Sequence, residues 1–201
     1  MSTLDFDNQA TDPVELLHTW LEDAKVRTNL PNPNAMTLAT VDQDGRPSAR
    51  IVLLRGLDER GAVFFTNYAS RKGRALDAHR NAALVIHWDE LERQVRIEGR
   101  VSRVSDEESD AYWSTRARES RIGAWASRQS EILEDKAALE AEIKRYTREF
   151  EGGEVPRPEH WGGYRVSLDQ VEFWEGQPAR IHDRLVCQRV DDRWETCRLS
   201  P

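Results

Sequence analysis

Four cationic side chains stand at the ends of two short apolar stretches between residues 50 and 72. The stretches are rich in β-branched and aromatic residues, and the segment 58–61 between them predicts a tight turn that joins two β-strands. Cations in these positions contribute little to a hydrophobic core, but they can hold an anion above a sheet. We therefore interpret this region as part of a site for a phosphate-bearing cofactor. The cations are Arg50, Arg55, Arg71 and Lys72, and the stretches are Ile51–Leu54 and Val63–Thr66.

Ser70, Arg71 and Lys72 also form the expected start of a helix, which Ser70 can cap. Free backbone N–H groups and the helix dipole favour an anion at such a terminus, and the two cations add charge-assisted hydrogen bonds. The alternative is a solvated helix end without a ligand, because triplets of this kind are common. The residues alone leave both interpretations open.

A second set of donors follows a spacing of four residues, with Tyr112, Arg116 and Ser120. This spacing places a phenol, a guanidinium and a hydroxyl on one face of a helix, provided that the helix continues that far. Three converging donors suit a phosphate monoester. The alternative is the exposed face of a polar helix, and the spacing does not decide between the two.

A third set lies near the C-terminus, where Arg180, His182 and Arg184 alternate at the start of a predicted strand. Alternate residues of a strand project to one side, so Asp183 points the other way. Two guanidiniums and an imidazole on one side are electrostatically costly unless an anionic or electron-rich group lies opposite. We interpret the cluster as functional, and the alternative is a structural histidine.

The composition limits the class of protein. The chain has 201 residues, of which 32% are charged, and a net charge of −7, which argues against a general nucleic-acid binder. No apolar run approaches the roughly 20 residues of a membrane span, and the N-terminus lacks signal-peptide features, so we expect a cytoplasmic protein. Cys187 and Cys197 are expected to be free thiols, and no metal site is expected because no Cys/His cluster has ligand spacing. Motifs of nucleophilic triads, Rossmann folds and P-loops are absent from the sequence.

The order of elements predicts a mainly β protein with flanking helices, in which an antiparallel sheet closes into a barrel. Residues 1–11 are expected to be a disordered tail, and residues 12–201 a single domain. Helices are predicted after the caps Asp12, Ser70, Ser105 and Ser130, the third through about Arg116 and the fourth over Glu131–Phe150. Strands are predicted at Met36–Val41, Arg50–Leu54, Val63–Thr66, Leu84–Trp88, Gln94–Val104, Gly163–Ser167, Val171–Trp174, Arg184–Val190 and Trp194–Leu199.

Seven segments resemble the pyridoxine/pyridoxamine 5′-phosphate oxidase family and occur in the family's order from about Ala39 to the last residue. They are ATVDQDGRPSARIVLLRG, VFFTNYASRKGRAL, LERQVRIEGRV, SRIGAWASRQS, EVPRPEHWGGYRVSLDQVEFW, RIHDR and RLSP. Their coverage and order make the resemblance specific. It implies an FMN-dependent antiparallel split β-barrel that forms a homodimer with the flavin at the subunit interface.

The resemblance also implies roles for individual residues. The implied FMN contacts are Arg50, Ile51, Val52, Leu53, Phe65, Thr66, Arg71, Lys72, Gln94, Gln129, Ser130, Trp174 and Arg184. The implied contacts to the substrate phosphate are Arg55, Tyr112, Arg116 and Ser120, and Arg180 and His182 are the implied catalytic residues over the pyridine ring.

The expected reaction is the oxidation of pyridoxamine or pyridoxine 5′-phosphate by molecular oxygen to pyridoxal 5′-phosphate. Hydrogen peroxide is the by-product, together with ammonia from the amine. Two positions depart from the family pattern, because Arg55 stands where Lys is usual and Phe65 where Tyr is frequent. The alternatives are a related flavin oxidase of another substrate, such as a phenazine precursor, and a flavin- or pyridoxal-phosphate-binding protein without turnover.

Overall fold

The structure is a computed structural model, and it describes Leu4, residues 12–191 and residues 193–201. The helices are α1 (Pro13–Arg27), α2 (Arg71–Ala78), α3 (Asp106–Ser114), α4 (Arg118–Ala126) and α5 (Lys136–Glu149). The strands are β1 (Ala35–Val41), β2 (Pro47–Leu53), β3 (Gly56–Asp58), β4 (Gly61–Asn67), β5 (Asn81–Trp88), β6 (Arg93–Arg103), β7 (Trp161–Val166), β8 (Gln170–Glu175), β9 (Asp183–Val190) and β10 (Arg193–Arg198). No helix within these residues is long and apolar enough to cross a bilayer.

Strand β6 connects two parts of the sheet. One edge of β6 pairs with β5, while the other edge pairs first with β8, through residues 93–98, and then with β7, through residues 101–103. The barrel wall continues from β5 to β1 and β2, and from β7 to β4 and β3, whereas β8, β9 and β10 form a wing. These pairs are antiparallel, and the sheet curls into a half-barrel with flanking helices. The predicted split-barrel fold is confirmed.

Gly99 lies where β6 changes partner. A Cβ atom at this position would be 1.9 Å from the backbone oxygen of Ser167, in the segment that connects β7 to β8. That segment hydrogen-bonds to both sides of the glycine, because Ser167 N–H donates to Arg100 O at 2.8 Å and Asp169 N–H donates to Glu98 O at 3.1 Å. Only a residue without a side chain allows this close approach.

Helix α1 closes one side of the main core. Asp12 caps the helix by accepting a hydrogen bond from Val14 N–H at 2.8 Å, and Pro13 occupies the first turn, as predicted. Trp20, in the buried stripe of α1, meets Phe173 of β8 edge to face, with ring centroids 5.2 Å apart. Leu4 is the one described residue of the predicted tail, and its side chain is buried in the same core.

The predicted turn at residues 58–61 is confirmed, but the predicted strand before it, Ile51–Leu54, is not its partner strand. β2 pairs with β1, and the turn at 58–61 instead joins β4 to the short strand β3, which the sequence analysis did not separate from β2. The chain leaves β2 after Leu53, so Arg55 does not belong to the same strand as Arg50. Partner choice among short apolar strands depends on non-local packing, which a local pattern does not specify.

Two helix predictions also need correction. The predicted helix after Ser105 has its capping box with Glu108, but it ends at Ser114. The fifth helix begins at Lys136 with Asp135 as its cap, and Ser130, the predicted cap, has a φ of 76°. An N-cap residue has extended backbone, so Ser130 cannot start a helix there. Cys187 is buried and Cys197 exposed, and both are free thiols, as expected.

We predict that Gly99→Ala lowers the free energy of unfolding by about 2 kcal/mol or more, because the new methyl group collides with backbone that cannot move without breaking strand pairs. Gly123→Ala is the matched control, since a Cβ there meets nothing within 4 Å in helix α4. This control should be neutral or stabilising by up to about 1 kcal/mol. Urea denaturation of the two variants measures the difference, and equal stabilities would contradict the role of Gly99.

Candidate active site

Helix α2 begins against the end of β4. Ser70 caps the helix by accepting from Gly73 N–H at 3.3 Å, and its hydroxyl donates to Asn67 O at 2.7 Å. A Cβ on Gly73 would be 2.0 Å from Tyr68 O, so a glycine is required for this tight turn from strand to helix. The predicted Ser70 cap is confirmed, and the turn brings Lys72 back towards β4.

The Lys72 ammonium group is surrounded by neutral hydrogen-bond acceptors. Its Nζ donates to Gln129 Oε1 at 2.7 Å, to Thr66 Oγ1 at 3.1 Å and to Ser70 Oγ at 3.4 Å. Burial, and after it the charge of Arg50, lowers the pKa of Lys72 to about 8. A partly buried cation whose partners are neutral favours an incoming anion.

Arg50 approaches the same place from β2. Its Nη1 donates to Leu38 O at 3.1 Å and to Thr40 Oγ1 at 2.8 Å, both neutral acceptors. Burial, followed by the charge of Arg71, lowers the pKa of Arg50. Arg71 is exposed and pairs with Asp42 at a distance of 3.9 Å. The structure therefore gathers three of the predicted cofactor residues, Arg50, Arg71 and Lys72, into one cationic group.

The second predicted set, Tyr112, Arg116 and Ser120, also comes together, but its members do not share one helix. Because α3 ends at Ser114 and α4 begins at Arg118, Tyr112 and Ser120 lie on two helices, so the condition of one continuous helix is not met. Arg116 lies in the connection, where its Nη2 donates to Ser120 O at 3.1 Å. Arg55 contributes from the connection between β2 and β3, with its guanidinium carbon 5.7 Å from the Tyr112 ring centroid.

Aromatic rings connect the two groups. The Phe65 ring stacks on Tyr112 with centroids 4.1 Å apart, and it lies nearly parallel to Trp161 at 5.6 Å. The next residue of β4 is Thr66, whose hydroxyl accepts the hydrogen bond from Lys72. β4 therefore contacts the Lys72 group through Thr66 and the Tyr112 group through Phe65.

A cavity of about 250 Å³ lies between the two groups. Five of its lining residues were proposed from the sequence and five were not. The proposed ones are Phe65, Thr66, Arg116, Ser120 and Gln129, and the others are Asn67, Gly123, Ala124, Ser127 and Trp161. The only sequence signal for the second set was their position in or beside the family-like segments, because no spacing rule assigns them chemistry. A larger cavity of about 530 Å³ lies elsewhere, against Ala39, Ala83 and Gln188, and its walls are mainly apolar.

Three further predicted cofactor residues lie on the wing or on the strand beside it, whereas Ile51, Val52 and Leu53 lie on β2 and Ser130 between α4 and α5. Gln94, Trp174 and Arg184 are cross-strand neighbours on β6, β8 and β9. The guanidinium of Arg184 donates from Nε to the buried carboxylate of Glu172 at 2.8 Å and from Nη1 to Ser200 O at 3.0 Å. Arg184 is thus oriented by an acid and by the C-terminal segment.

Arg180 and His182 do not belong to a strand, so the predicted alternation of Arg180, His182 and Arg184 is wrong. Residues 178–180 form a single 3₁₀ turn, and Ala179 and Arg180 have φ values of 58° and 61°. Backbone strain of this kind is concentrated at ligand sites in proteins. The His182 ring still lies 4.6 Å from the Trp174 ring, and its Nδ1 accepts from Gln177 N–H at 3.2 Å.

Strand pairing connects Gln94 and Thr66 to different ends of β6. Gln94 is near the start of β6, whereas β4, which carries Thr66, reaches β6 only through β7 and the residues 101–103. At 3.3 Å per residue, the interval from Gln94 to Val101 alone is about 23 Å along the strand. One chain therefore carries the predicted cofactor residues as two separate groups.

Comparison with known proteins identifies the family. A family model described as pyridoxamine 5′-phosphate oxidase matches residues 22–148, and one described as the pyridoxine 5′-phosphate oxidase C-terminal dimerisation region matches residues 161–201. The fold is that of the split-barrel oxidases related to these models. The chain belongs to the pyridoxamine 5′-phosphate oxidase family, whose members are flavoprotein oxidoreductases.

Three similar proteins illustrate the relationship. The chain is 58% identical over 192 residues to a pyridoxine/pyridoxamine 5′-phosphate oxidase of Thermosynechococcus vestitus, covering 96% of this chain and 90% of the relative. It is 56% identical to the oxidase of the same name from Burkholderia multivorans, covering 100% and 94%. PhzG from Burkholderia lata 383, solved in complex with tetrahydrophenazine-1-carboxylic acid, superposes with a TM-score of 0.92 at 33% identity, covering 100% of this chain and 98% of PhzG.

Proposed function

We propose that this protein is an FMN-dependent oxidase of pyridoxamine 5′-phosphate or pyridoxine 5′-phosphate. It uses molecular oxygen and produces pyridoxal 5′-phosphate and hydrogen peroxide, with ammonia from the amine. The observation that carries the proposal is the cavity of about 250 Å³, which the partners of Lys72 border on one side and Arg116 and Ser120 border on the other. Two adjoining cationic groups suit a cofactor phosphate next to a substrate phosphate.

The residues present fit the phosphate end of FMN. Lys72 and Arg50 donate to neutral oxygens, so a phosphate would supply the negative charge that these contacts lack. Arg71, at the start of α2, adds a third cation. Phe65, Thr66 and Gln129 line the cavity beside Lys72, and we propose Ser130 and residues 51–53 of β2 as further FMN contacts. When bound, FMN accepts the hydride equivalent from the substrate carbon and passes the electrons to oxygen.

The separation of the two cofactor groups supports a site built from two chains. A flavin at Lys72 would be completed by Gln94, Trp174 and Arg184 of a second copy, because in the same chain these residues are paired at the start of β6, whereas Thr66, beside Lys72, is connected to its end. Trp174 and Arg184 fall within the matched dimerisation region, residues 161–201. We therefore propose a homodimer with FMN at the subunit interface.

The substrate would be held by its phosphate. Arg116 and Arg55 supply positive charge, while Tyr112 and Ser120 supply hydroxyl groups that orient the phosphate oxygens. Arg180 and His182 would cover the pyridine ring. Because His182 Nδ1 accepts from Gln177 N–H, the neutral ring carries its proton on Nε2 and can donate a hydrogen bond from there to the amine or alcohol of the substrate.

A second candidate function follows from the similarity to PhzG, which was solved with a phenazine carboxylic acid. A carboxylate carries one negative charge, whereas a phosphate monoester carries close to two at neutral pH. Two guanidiniums, a phenol and a hydroxyl around one spot fit the larger charge better. A flavin-binding or pyridoxal-phosphate-binding protein without turnover is the remaining alternative.

We predict that the yellow holoprotein loses its flavin absorption band when pyridoxamine 5′-phosphate is added without oxygen. Stopped-flow or manual anaerobic titration at about 450 nm measures the bleaching. Bleaching by a reduced phenazine carboxylate but not by the pyridine phosphates would support the second candidate. A protein that binds FMN but bleaches with none of them would support the non-catalytic alternative.

We predict that Arg116→Ala raises the KM for pyridoxamine 5′-phosphate roughly 10- to 100-fold, because a charged hydrogen bond is worth about 1.5–3 kcal/mol. The FMN content should not change, since Arg116 belongs to the substrate group. Lys144→Ala, an exposed change on α5, is the control and should leave the KM unaltered. An unaltered KM in Arg116→Ala would remove the substrate-phosphate assignment.

We predict that FMN affinity is highest below about pH 8 and falls as the pH rises further. The pKa of Lys72 is lowered to about 8 in the free site, and a bound phosphate favours its charged form. Binding therefore takes up a proton above pH 8, so the Kd should rise by up to roughly tenfold per pH unit there. Flavin fluorescence titration from pH 6.5 to 9.5 measures the effect.

Two controls define this pH dependence. Riboflavin lacks the phosphate, so its affinity should not follow the titration of Lys72. Lys72→Met should bind FMN more weakly and without the loss of affinity above pH 8. A Kd for FMN that is constant from pH 7 to 9.5 in the wild-type protein would contradict the assignment of Lys72 to the phosphate.

A further inference from the structure

Trp161, the first residue of β7, lies directly against Arg116. The guanidinium carbon of Arg116 is 4.8 Å from the centroid of the Trp161 ring, and 5.6 Å from that of Trp113. Trp161 is 4% exposed and borders the cavity between the two cationic groups. The distances lie within the range of a cation–π contact, for which tryptophan is the strongest partner.

Arg116 has little else to hold it. Its Nη2 donates to Ser120 O, and its Nε is buried without a hydrogen-bond partner among the described residues. Burial lowers the pKa of the Arg116 guanidinium, and the charge of Arg55 acts in the same direction. The position of this side chain therefore depends mainly on the aromatic rings beside it.

An aromatic face is suited to a cation that must bind an anion. A carboxylate partner would fix the guanidinium but would also neutralise it and occupy its donors. A ring face fixes the plane of the guanidinium while its charge and its in-plane N–H groups stay available for phosphate oxygens. Lysine would not be held in the same way, because its ammonium group has no plane to stack.

The Trp161 ring is itself held firmly. The Trp113 ring meets it edge to face, with centroids 4.8 Å apart. The Phe65 ring lies nearly parallel to it, with centroids 5.6 Å apart. The backbone is fixed by pairing with Asn67 of β4 and by Arg157, whose Nη1 donates to Trp161 O at 2.9 Å. A rigid support of this kind can impose its geometry on a flexible arginine.

We propose that Trp161 is the positioning residue of the substrate-phosphate site, and that its indole face holds Arg116 in the orientation that binds phosphate. This inference rests on the proposed function, and it makes the preference for phosphorylated over unphosphorylated substrates depend on an aromatic ring. Trp161 acts through Arg116 and takes no part in the chemical step.

The test compares Trp161→Leu and Trp161→Phe with Trp125→Leu in the holoenzyme. Trp125 is a matched control, because it belongs to the same small aromatic cluster but packs on Tyr146 and Phe150. Trp161→Leu should raise the KM for pyridoxamine 5′-phosphate about tenfold, with kcat within about threefold of wild type. The KM for unphosphorylated pyridoxamine should not change. The KM of Trp161→Phe for pyridoxamine 5′-phosphate should lie between those of the wild type and Trp161→Leu. The KM of Trp125→Leu should resemble that of the wild type.

A double-mutant cycle separates positioning from a general packing defect. If Trp161 acts through Arg116, the variant that combines Arg116→Ala with Trp161→Leu binds substrate no worse than Arg116→Ala alone. The proposal would be overturned if the two substitutions weakened substrate binding additively. It would also be overturned if Trp161→Leu weakened the binding of pyridoxamine and of pyridoxamine 5′-phosphate equally. If Trp161→Leu does not fold, Trp161→Phe decides, and a wild-type preference for the phosphorylated substrate in Trp161→Phe would also overturn it.

Binding of inorganic phosphate to the holoprotein provides a readout that does not need turnover. Calorimetric titration should give a Kd that is about tenfold higher in Trp161→Leu than in the wild type and in Trp125→Leu. If the wild-type protein binds phosphate but does not bleach with pyridine phosphates, the proposed oxidase activity is contradicted. The comparison of phosphate affinities then still tests the role of Trp161. Equal phosphate affinity in the wild type and Trp161→Leu would contradict the role of Trp161.

Discussion

The structure depends on the divergence of strand β6 between two partners. Because β6 pairs with β8 over its first half and with β7 at its end, the sheet separates into a barrel wall and a wing. Gly99 allows this by letting the segment around Ser167 cross the strand at a distance that excludes a side chain. Strand pairing also connects Gln94, Trp174 and Arg184 to the start of β6, whereas Thr66, beside Lys72, is connected to its end. This arrangement is the reason for proposing a site shared between two copies of the chain.

Lys72, Arg50 and Arg116 differ from the arginines that form ion pairs on the surface. Four arginines each contact two carboxylates, and they are Arg60, Arg145, Arg157 and Arg165. The chain has an excess of acids, with 36 Asp and Glu against 29 Lys and Arg. Lys72, Arg50 and Arg116 nevertheless donate to neutral oxygens. Because the described contacts of these three side chains include no carboxylate, their charge is available to an incoming anion, whereas Arg71 of the same group pairs with Asp42.

The sequence predicted the local features of the fold well. The caps at Asp12, Ser70 and Ser105 follow from side chains that act on their own backbone. The pairing of β2 and the start of α5 were wrong, because both depend on contacts with distant parts of the chain. The donors Tyr112, Arg116 and Ser120 met although their predicted helix was interrupted. The residue types indicated a phosphate site, but the four-residue spacing did not predict the helix–connection–helix arrangement that brings them together.

Trp161 shows a different limit of sequence analysis. A tryptophan at the start of a strand has no feature that separates a core residue from the support of an arginine, and only its distance to Arg116 does so. The same holds for β4, where Phe65 stacks on Tyr112 while Thr66 accepts from Lys72. Two adjacent residues of one strand therefore bring the proposed cofactor phosphate and substrate phosphate to a common wall. That wall is β4, and Arg55 reaches the substrate group from the connection between β2 and β3.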